Sequence, residues 1–279
     1  MKQEDEALAG IRRTYAAATV RAAGCAGSAV EAAFATVPRE DFLPPPPWRV
    51  FGAGGDISTS DPADLYCDGL VSIDAGKGIN NGQPSLHATW IAACAPKAGE
   101  TVVHVGCGGG YYSAILSRLV GTGGRIHAYE IEPDIALLAA NSLSAYANVT
   151  VHAGSGTGGM LPHADVIYVN AAANAPQTIW LDCMKPGARL VFPWTYGLRG
   201  AAAMLVSNAQ HPGPACFSAR CIGQVSFIAL EDEHDHRFAD IPLHQVLAIR
   251  SLCRKGRAAS EAGMVAEFDT LWFSTLPPE

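Results

Sequence analysis

The sequence predicts an α/β protein built on a mostly parallel, nucleotide-binding sheet. Three observations predict it. Val102-Val-His-Val105 reads as a buried strand that runs into Gly106, Gly108 and Gly110 at alternate positions of a tight turn, and Tyr112–Val120 then reads as a helix. Strand, glycine turn and helix are how an open parallel sheet builds a nucleotide site at the carboxyl end of a strand, because glycine lets the backbone turn and approach a ligand where a Cβ would clash. Second, Arg125-Ile-His-Ala-Tyr-Glu130 reads as a strand ending in a carboxylate, roughly 20 residues past the turn, where an acidic residue holds ribose hydroxyls in such folds. Third, strands and helices keep alternating as far as Pro193, the pattern of right-handed βαβ crossovers. The glycine pattern is G-x-G-x-G; Tyr111 occupies the third glycine position of a dinucleotide fingerprint, which disfavours a nicotinamide oxidoreductase.

Composition frames this reading. A chain of 279 residues, 49% hydrophobic, can bury a large core. A net charge of −7 argues against a general nucleic-acid or anionic-membrane binder. Eight cysteines lie scattered without a C-x-x-C and read as reduced core thiols. The start, Met1-Lys-Gln-Glu-Asp-Glu6, is too acidic for a signal peptide, and no apolar run reaches transmembrane length. The expected location is the cytoplasm.

In chain order, residues 7–37 predict two helices broken near Gly24–Gly27, with Leu8, Ile11, Tyr15, Val20, Val30, Ala33 and Phe34 as apolar points, forming a helical cap. Pro38 opens a short helical turn that Pro44 closes, and Pro44–Pro47 is a rigid connector. Gly52–Asp64 reads as a loop, and 66–73 holds a short β-like piece. Gly76–His87 is a polar, glycine-rich loop before a helix expected over Ala88–Ala95; Asn, Gly and Ser suit a plain turn there, but unpaired N–H groups at a helix start also suit a carboxylate. After Glu130 the sequence predicts a helix over Pro133–Ala147, a strand over Asn148–His152, a second glycine turn at Gly154–Gly159, a strand over Asp165–Asn170, a helix over Thr178–Met184 and a strand reaching Pro193. Residues 201–207 and 221–230 suggest a closing antiparallel pair, and Pro242–Leu252 a helix. Glu231-Asp-Glu-His-Asp-His236 has the composition of a metal cluster, but without a third ligand in an adjoining motif it reads as a solvated acidic turn, and no metal is expected.

Taken together, Val-Pro-Arg-Glu-Asp-Phe-Leu-Pro (37–44), the loop that opens Gly-x-Gly and ends Gln-Pro-Ser-Leu-His-Ala (76–88), Val-Gly-Cys-Gly-Gly-Gly-Tyr (105–111), Gly-Ser-Gly (154–156), Val-Asn-Ala-Ala (169–172) and Leu-x-x-x-Lys-Pro-Gly-Ala-Arg-Leu-Val-x-Pro (181–193) resemble the protein-L-isoaspartate O-methyltransferase family over about residues 30–195. The resemblance implies a Rossmann-like class I methyltransferase fold with a seven-stranded sheet, and S-adenosylmethionine as methyl donor, with S-adenosylhomocysteine as product. It divides the chain into a cap with the substrate and cofactor loop (1–95), a cofactor-binding domain (96–230) and a C-terminal extension (231–279). It implies that Gly106, Gly108 and Gly110 pass the methionine part, that Glu130 holds the ribose, and that Gly156 and its neighbours flank the adenine. Asn80, Asn81, Gly82 and His87 would lie in the loop that closes over the cofactor and presents the substrate. Cys107, Tyr111, Ile131, Ser155 and Asn170 complete the implied cofactor set, and Asn81 and Gly82 the catalytic one.

Two departures bear on activity. Where the family loop reads Gly-x-Gly-Gln-Thr-Ile-Ser-x-Pro, this chain has Gly76-Lys-Gly-Ile-Asn-Asn-Gly-Gln-Pro84, so Gly82 stands in place of the functional serine; Asn80, Asn81 or Ser85 are candidates to replace its hydroxyl. Ser155 replaces the Asp of the family's Gly-Asp-Gly. No general base is expected, because a carboxylate acceptor is already ionised near neutral pH. Three functions follow: a carboxyl O-methyltransferase on isoaspartyl residues; a methyltransferase on another small-molecule or modified-peptide acceptor, which Gly82 and the long tail favour; or a non-catalytic cofactor-binding scaffold, since fold does not fix function. The expected partner is a protein, peptide or small-molecule carboxylate, not nucleic acid or a membrane. The oligomeric state is not readable.

Overall fold

The computed structural model describes residues 2–52, 55–197, 200–208, 215–230, 241–256 and 263–278. The alanine-rich start forms α1 (Lys2–Ala22) and α2 (Ala29–Thr36). Between them Gly24 and Gly27 take φ of +71° and +72°, a conformation that a Cβ disfavours, so the break falls where the sequence places it. Tyr15, Val20, Val30, Ala33 and Phe34 are buried as predicted, and Ile11 is exposed.

Pro38 is followed by a single 3-10 turn, Glu40–Phe42. The predicted loop over Gly52–Asp64 is instead largely a hairpin arm: β1 (Trp48–Gly52) pairs antiparallel with β2 (Gly55–Thr59). Four of the five β2 residues are exposed, so no apolar alternation marks it as a strand. β3 (Leu70–Asp74) and β4 (Ile79–Asn80) complete a sheet of order β2-β1-β3-β4. Beneath it Leu43, Trp48, Val50, Leu65 and Val71 form a small core.

Helix α3 (Pro84–Cys94) starts four residues before the predicted Ala88. Proline fits a first helical position, where no N–H partner is needed, and the Asp68 carboxylate accepts the Ser85 N–H at 2.7 Å as an external cap. The alternating elements follow: β5 (Thr101–Val105), α4 (Tyr111–Val120), β6 (Arg125–Glu130), α5 (Pro133–Ser142), β7 (Val149–Ala153), β8 (Ala164–Val169), α6 (Thr178–Asp182), β9 (Met184–Gly197), β10 (Gly200–Ser207) and β11 (Cys216–Val225). Helix α5 ends at Ser142, short of the predicted Ala147.

The tail differs from its expectation. The helix predicted over Pro242–Leu252 is only α7 (Leu243–Leu247), and Ser251–Arg254 is a strand, β12. It is joined by β13 (Met264–Glu267) and β14 (Leu271–Ser274). All four residues of β12 and of β14 are buried, so neither shows the alternation of a half-exposed strand. The acidic stretch Glu231–His236 lies outside the described residues.

Two compact units result. Met1–Glu100 with Cys107–Gly154 holds α1–α5, the four-stranded sheet and the parallel pair β6–β7. Thr101–Gly106 with Ser155–Glu279 holds strands in the order β13-β14-β12-β11-β10-β9-β8-β5. Pairings β5–β8 and β8–β9 are parallel; those from β9 through β10, β11, β12 and β14 to β13 are antiparallel. Trp180, Phe192, Trp194, Phe217, Trp272 and Phe273 are fully buried in this second unit, each worth about 1.5–3 kcal/mol relative to exposure.

The expectation of reduced cysteines fails at one pair. Cys216 and Cys253 face each other in the β11–β12 register and form a disulfide, with Cα atoms 4.0 Å apart. The other six cysteines are not disulfide-bonded. A partner 37 residues away, brought opposite by antiparallel pairing, leaves no spacing motif in the sequence.

Candidate active site

The first unit builds a carboxylate hub at the end of β6. Cys107 N–H donates to the Tyr129 carbonyl at 3.0 Å and Gly110 N–H to the Cys107 carbonyl at 3.0 Å, which folds the turn back towards β6. Gly108 and Gly110 take φ of +54° and +98°, so the turn requires glycine. Glu130, 7% exposed, accepts the Gly108 N–H at 2.8 Å on one carboxylate oxygen and the Glu132 N–H at 3.1 Å on the other. Burial pushes its pKa up, and the N–H groups of Glu132, Gly108 and Ile131 oppose that. An ionised carboxylate offers about four acceptor directions, so Glu130 can hold ligand hydroxyls as well as the turn. Ile131 beside it keeps 36% of its surface exposed, an apolar face in a polar loop.

Two implied cofactor residues turn inwards instead. The Tyr111 side chain is buried against Phe34 and Phe42, its hydroxyl 3.4 Å from that of Tyr15. Cys107 is buried, and burial together with the Glu130 charge pushes its thiol well above the usual range, so it stays neutral.

The polar loop is held from several sides. Lys77 forms an ion pair with Glu132. Asn80 accepts the Gly82 N–H at 2.9 Å, and its amide donates to the Gly78 carbonyl at 3.4 Å. Asn81 accepts from Val71 N–H at 2.8 Å and from Arg39 Nη2 at 3.1 Å. Gly82 takes φ +71°, and a Cβ there would lie 2.1 Å from His87 Nε2. His87, 2% exposed, stacks on Tyr112 at 3.6 Å and 11°, and the Tyr112 hydroxyl donates to the Gly82 carbonyl at 3.3 Å. The Ser85 hydroxyl and Gln83 amide both donate to Asp68.

Arg39 anchors this arrangement. It is fully buried, and its guanidinium donates to the carbonyls of Leu65 (2.5 Å), Cys67 (3.0 Å) and Gly69 (2.7 Å) as well as to Asn81. A buried charge with a partner removed costs several kcal/mol, so the loop is tied to residue 39 by more than local turn chemistry. Sequence reading missed Arg39, Asp68 and Tyr112 as contributors. Arg39 lies inside the Val-Pro-Arg-Glu-Asp-Phe-Leu-Pro motif, and that membership is the signal the sequence offers, since burial is not readable from its neighbours.

The remaining implied residues belong to the second unit. Gly106 takes φ +70°, and a Cβ there would meet the Asn170 backbone at 3.4 Å. Asn170 N–H donates to the Val105 carbonyl at 2.8 Å, and its amide nitrogen lies 2.7 Å from Nε2 of His104, whose pKa burial lowers to about 3. Ser155 Oγ accepts the Thr157 N–H at 3.1 Å and lies 2.7 Å from the Thr157 hydroxyl. At Gly156 a Cβ would sit 2.6 Å from Val105, and Trp180 donates to the Gly156 carbonyl at 2.9 Å.

The protein-L-isoaspartate O-methyltransferase of Methylorubrum populi is 36% identical over 171 residues, 60% of this chain and 76% of that protein. A solved protein-L-isoaspartate O-methyltransferase superposes with a TM-score of 0.64 at 19% identity, covering 96% of this chain and 87% of that one. So does a structure from Plasmodium falciparum of a protein-L-isoaspartate O-methyltransferase in complex with S-adenosyl-L-homocysteine, with a TM-score of 0.64 at 15% identity, covering 80% and 99%. At those identities the two structures establish the fold alone, the Rossmann-like α/β architecture of these methyltransferases. A family model for protein-L-isoaspartate(D-aspartate) O-methyltransferase matches residues 17–235, and the chain belongs to that family.

Proposed function

We propose that this chain transfers the methyl group of S-adenosylmethionine to the free carboxylate of isoaspartyl residues in peptides or proteins. As a member of its family it is a methyltransferase that uses S-adenosylmethionine. The observation that carries the cofactor assignment is the bond from Gly108 N–H to Glu130, which fixes a buried carboxylate with spare acceptor capacity beside a bare glycine turn. These groups fit the cofactor: Glu130 for ribose hydroxyls, Gly108 and Gly110 for close approach, the exposed face of Ile131 for the base. Bound there, S-adenosylmethionine supplies a methyl group on a positively charged sulfur.

The chain's own residues then have a placing task. A carboxylate acceptor has an ordinary pKa of about 4 and needs no proton removed near pH 7. In-line placement of two reactants supplies up to about 7–11 kcal/mol. In this reading residues 1–95 carry the acceptor loop, held by Arg39, Asp68 and Tyr112, and Asn81 and Gly82 face the acceptor. Gly106, Ser155, Gly156 and Asn170 keep the cofactor role that the family resemblance implies for them.

The test is methyl transfer from labelled S-adenosylmethionine to an isoaspartyl peptide against its aspartyl counterpart. Label in the isoaspartyl peptide alone is expected. No transfer, from protein that still binds S-adenosylhomocysteine, refutes the acceptor and favours the second reading, a small-molecule or modified-peptide acceptor on the same scaffold. Gly82 supports that alternative, because the hydroxyl of the family serine is absent. Among the described residues no helix is long and apolar enough to cross a membrane. A cytoplasmic location is tested by the Cys216–Cys253 bridge, since such bonds persist mainly in oxidising compartments.

A further inference from the structure

Asn81 carries a donor that the fold does not use. Its Oδ1 faces two donors, Val71 N–H at 2.8 Å and Arg39 Nη2 at 3.1 Å, which fixes the amide orientation, since a nitrogen in that position could accept from neither. Nδ2 therefore sits on the other side. It is buried, in a residue 9% exposed, and among the described residues it has no acceptor. Buried donors of native proteins are almost always paired, so an orphan calls for a ligand or a strain account.

The other substitutes for the missing serine hydroxyl are already engaged. Asn80 bonds Gly82 N–H and the Gly78 carbonyl, and the Ser85 hydroxyl bonds Asp68. Arg39 is always charged, and its described partners are three carbonyls and the Asn81 oxygen, all neutral. A donor bonded to Oδ1 polarises the amide and strengthens Nδ2 as a donor in turn.

We propose that Asn81 Nδ2 is the donor that binds the acceptor carboxylate in place of the family serine, with Arg39 as the positioning residue behind it. This rests on the carboxyl-methylating reading above. Asn81→Asp is nearly isosteric and keeps an oxygen towards Val71 and Arg39, but it replaces the unpaired donor with an anionic acceptor. Asn81→Ser keeps one donor. The experiment measures KM for an isoaspartyl peptide, Kd for S-adenosylhomocysteine and Tm in wild type and both variants.

The expected result is a rise in peptide KM of about 10- to 100-fold for Asn81→Asp, the size of a hydrogen bond to a charged group. Asn81→Ser is expected between it and wild type, with S-adenosylhomocysteine Kd within about twofold throughout. Wild-type KM in Asn81→Asp overturns the inference. So does weaker S-adenosylhomocysteine binding at unchanged KM, which would give Nδ2 to the cofactor. If wild type binds S-adenosylhomocysteine but neither binds nor methylates the peptide, the acceptor reading itself falls and the inference with it. If wild type is active and both variants match it, only the inference falls.

Discussion

Restoring the family serine at position 82 is expected to damage this protein. The Cβ that Gly82→Ser introduces lies 2.1 Å from His87 Nε2 and 2.8 Å from Cδ2. His87 cannot swing aside cheaply: it is 2% exposed and stacked at 3.6 Å on Tyr112, itself 4% exposed. The backbone adds a second term, because φ +71° costs an L-residue about 1–2 kcal/mol. Forcing extra atoms into a packed site costs about 1–3 kcal/mol, for a total of about 2–5 kcal/mol. At about 2–4 °C per kcal/mol for a chain of this size class, Tm should fall by roughly 5 °C or more. Thermal unfolding of Gly82→Ser measures it. The double variant Gly82→Ser/His87→Ala separates the terms: relative to His87→Ala it should lose only the backbone part. A Gly82→Ser protein that melts within 1 °C of wild type, or costs that simply add in the double variant, would refute the claim that His87 occupies the serine's place.

Other perturbations test the remaining structure. Gly108→Val puts a branched side chain at φ +54°, where its Cβ would stand 3.3 Å from Ile73, and should abolish S-adenosylhomocysteine binding by calorimetry while the protein stays folded. Cys216→Ser opens a loop of 37-residue separation, which the chain-entropy relation values at about 4 kcal/mol; Tm should fall, and titration of the denatured, unreduced wild type should find six thiols rather than eight. His127 and His152, with Nδ1 and Nε2 3.2 Å apart, have pKa values lowered chiefly by burial. The unfolded chain then binds more protons, so their contribution is present above about pH 6.5 and is lost as pH falls through the lowered folded values. His127→Gln should flatten the fall in stability between pH 7 and 5, read from urea midpoints.

The parts of the site that were legible in the sequence are local. Val102–Val105, the glycines that follow and Glu130 could be placed because strand, turn and carboxylate succeed one another at fixed short spacings, and each implies its backbone conformation. What escaped depends on distant partners. Arg39 reaches Asn81 across 42 positions, and Cys216 reaches Cys253 across 37. Strands β12 and β14 are four residues long and buried throughout, so nothing in their own pattern separates them from a short helix. Strand β2 fails for the opposite reason, being exposed at nearly every position.

The two departures from the family pattern differ in kind. At Ser155 the change is contained: the hydroxyl still takes the Thr157 N–H, as an aspartate side chain at a turn commonly does, so the loop keeps its local bond and loses a charge. At Gly82 the change is shared among several residues. Asn80 holds its N–H, Tyr112 holds its carbonyl, His87 fills the space where a Cβ would go, and Asn81 beside it is oriented by Arg39. Asn80, Tyr112, His87 and Asn81 thus form one network around Gly82, and neighbours in one network do not contribute additively. The carboxylate hub at Glu130 meanwhile retains both backbone donors. A chain that keeps the Glu130 hub and differs from its family in the loop proposed to meet the acceptor should differ in how it holds the acceptor more than in how it holds the methyl donor. KM for an isoaspartyl peptide should therefore separate this chain from its Methylorubrum populi relative more sharply than any comparison of S-adenosylhomocysteine affinity, and equal KM values would refute that.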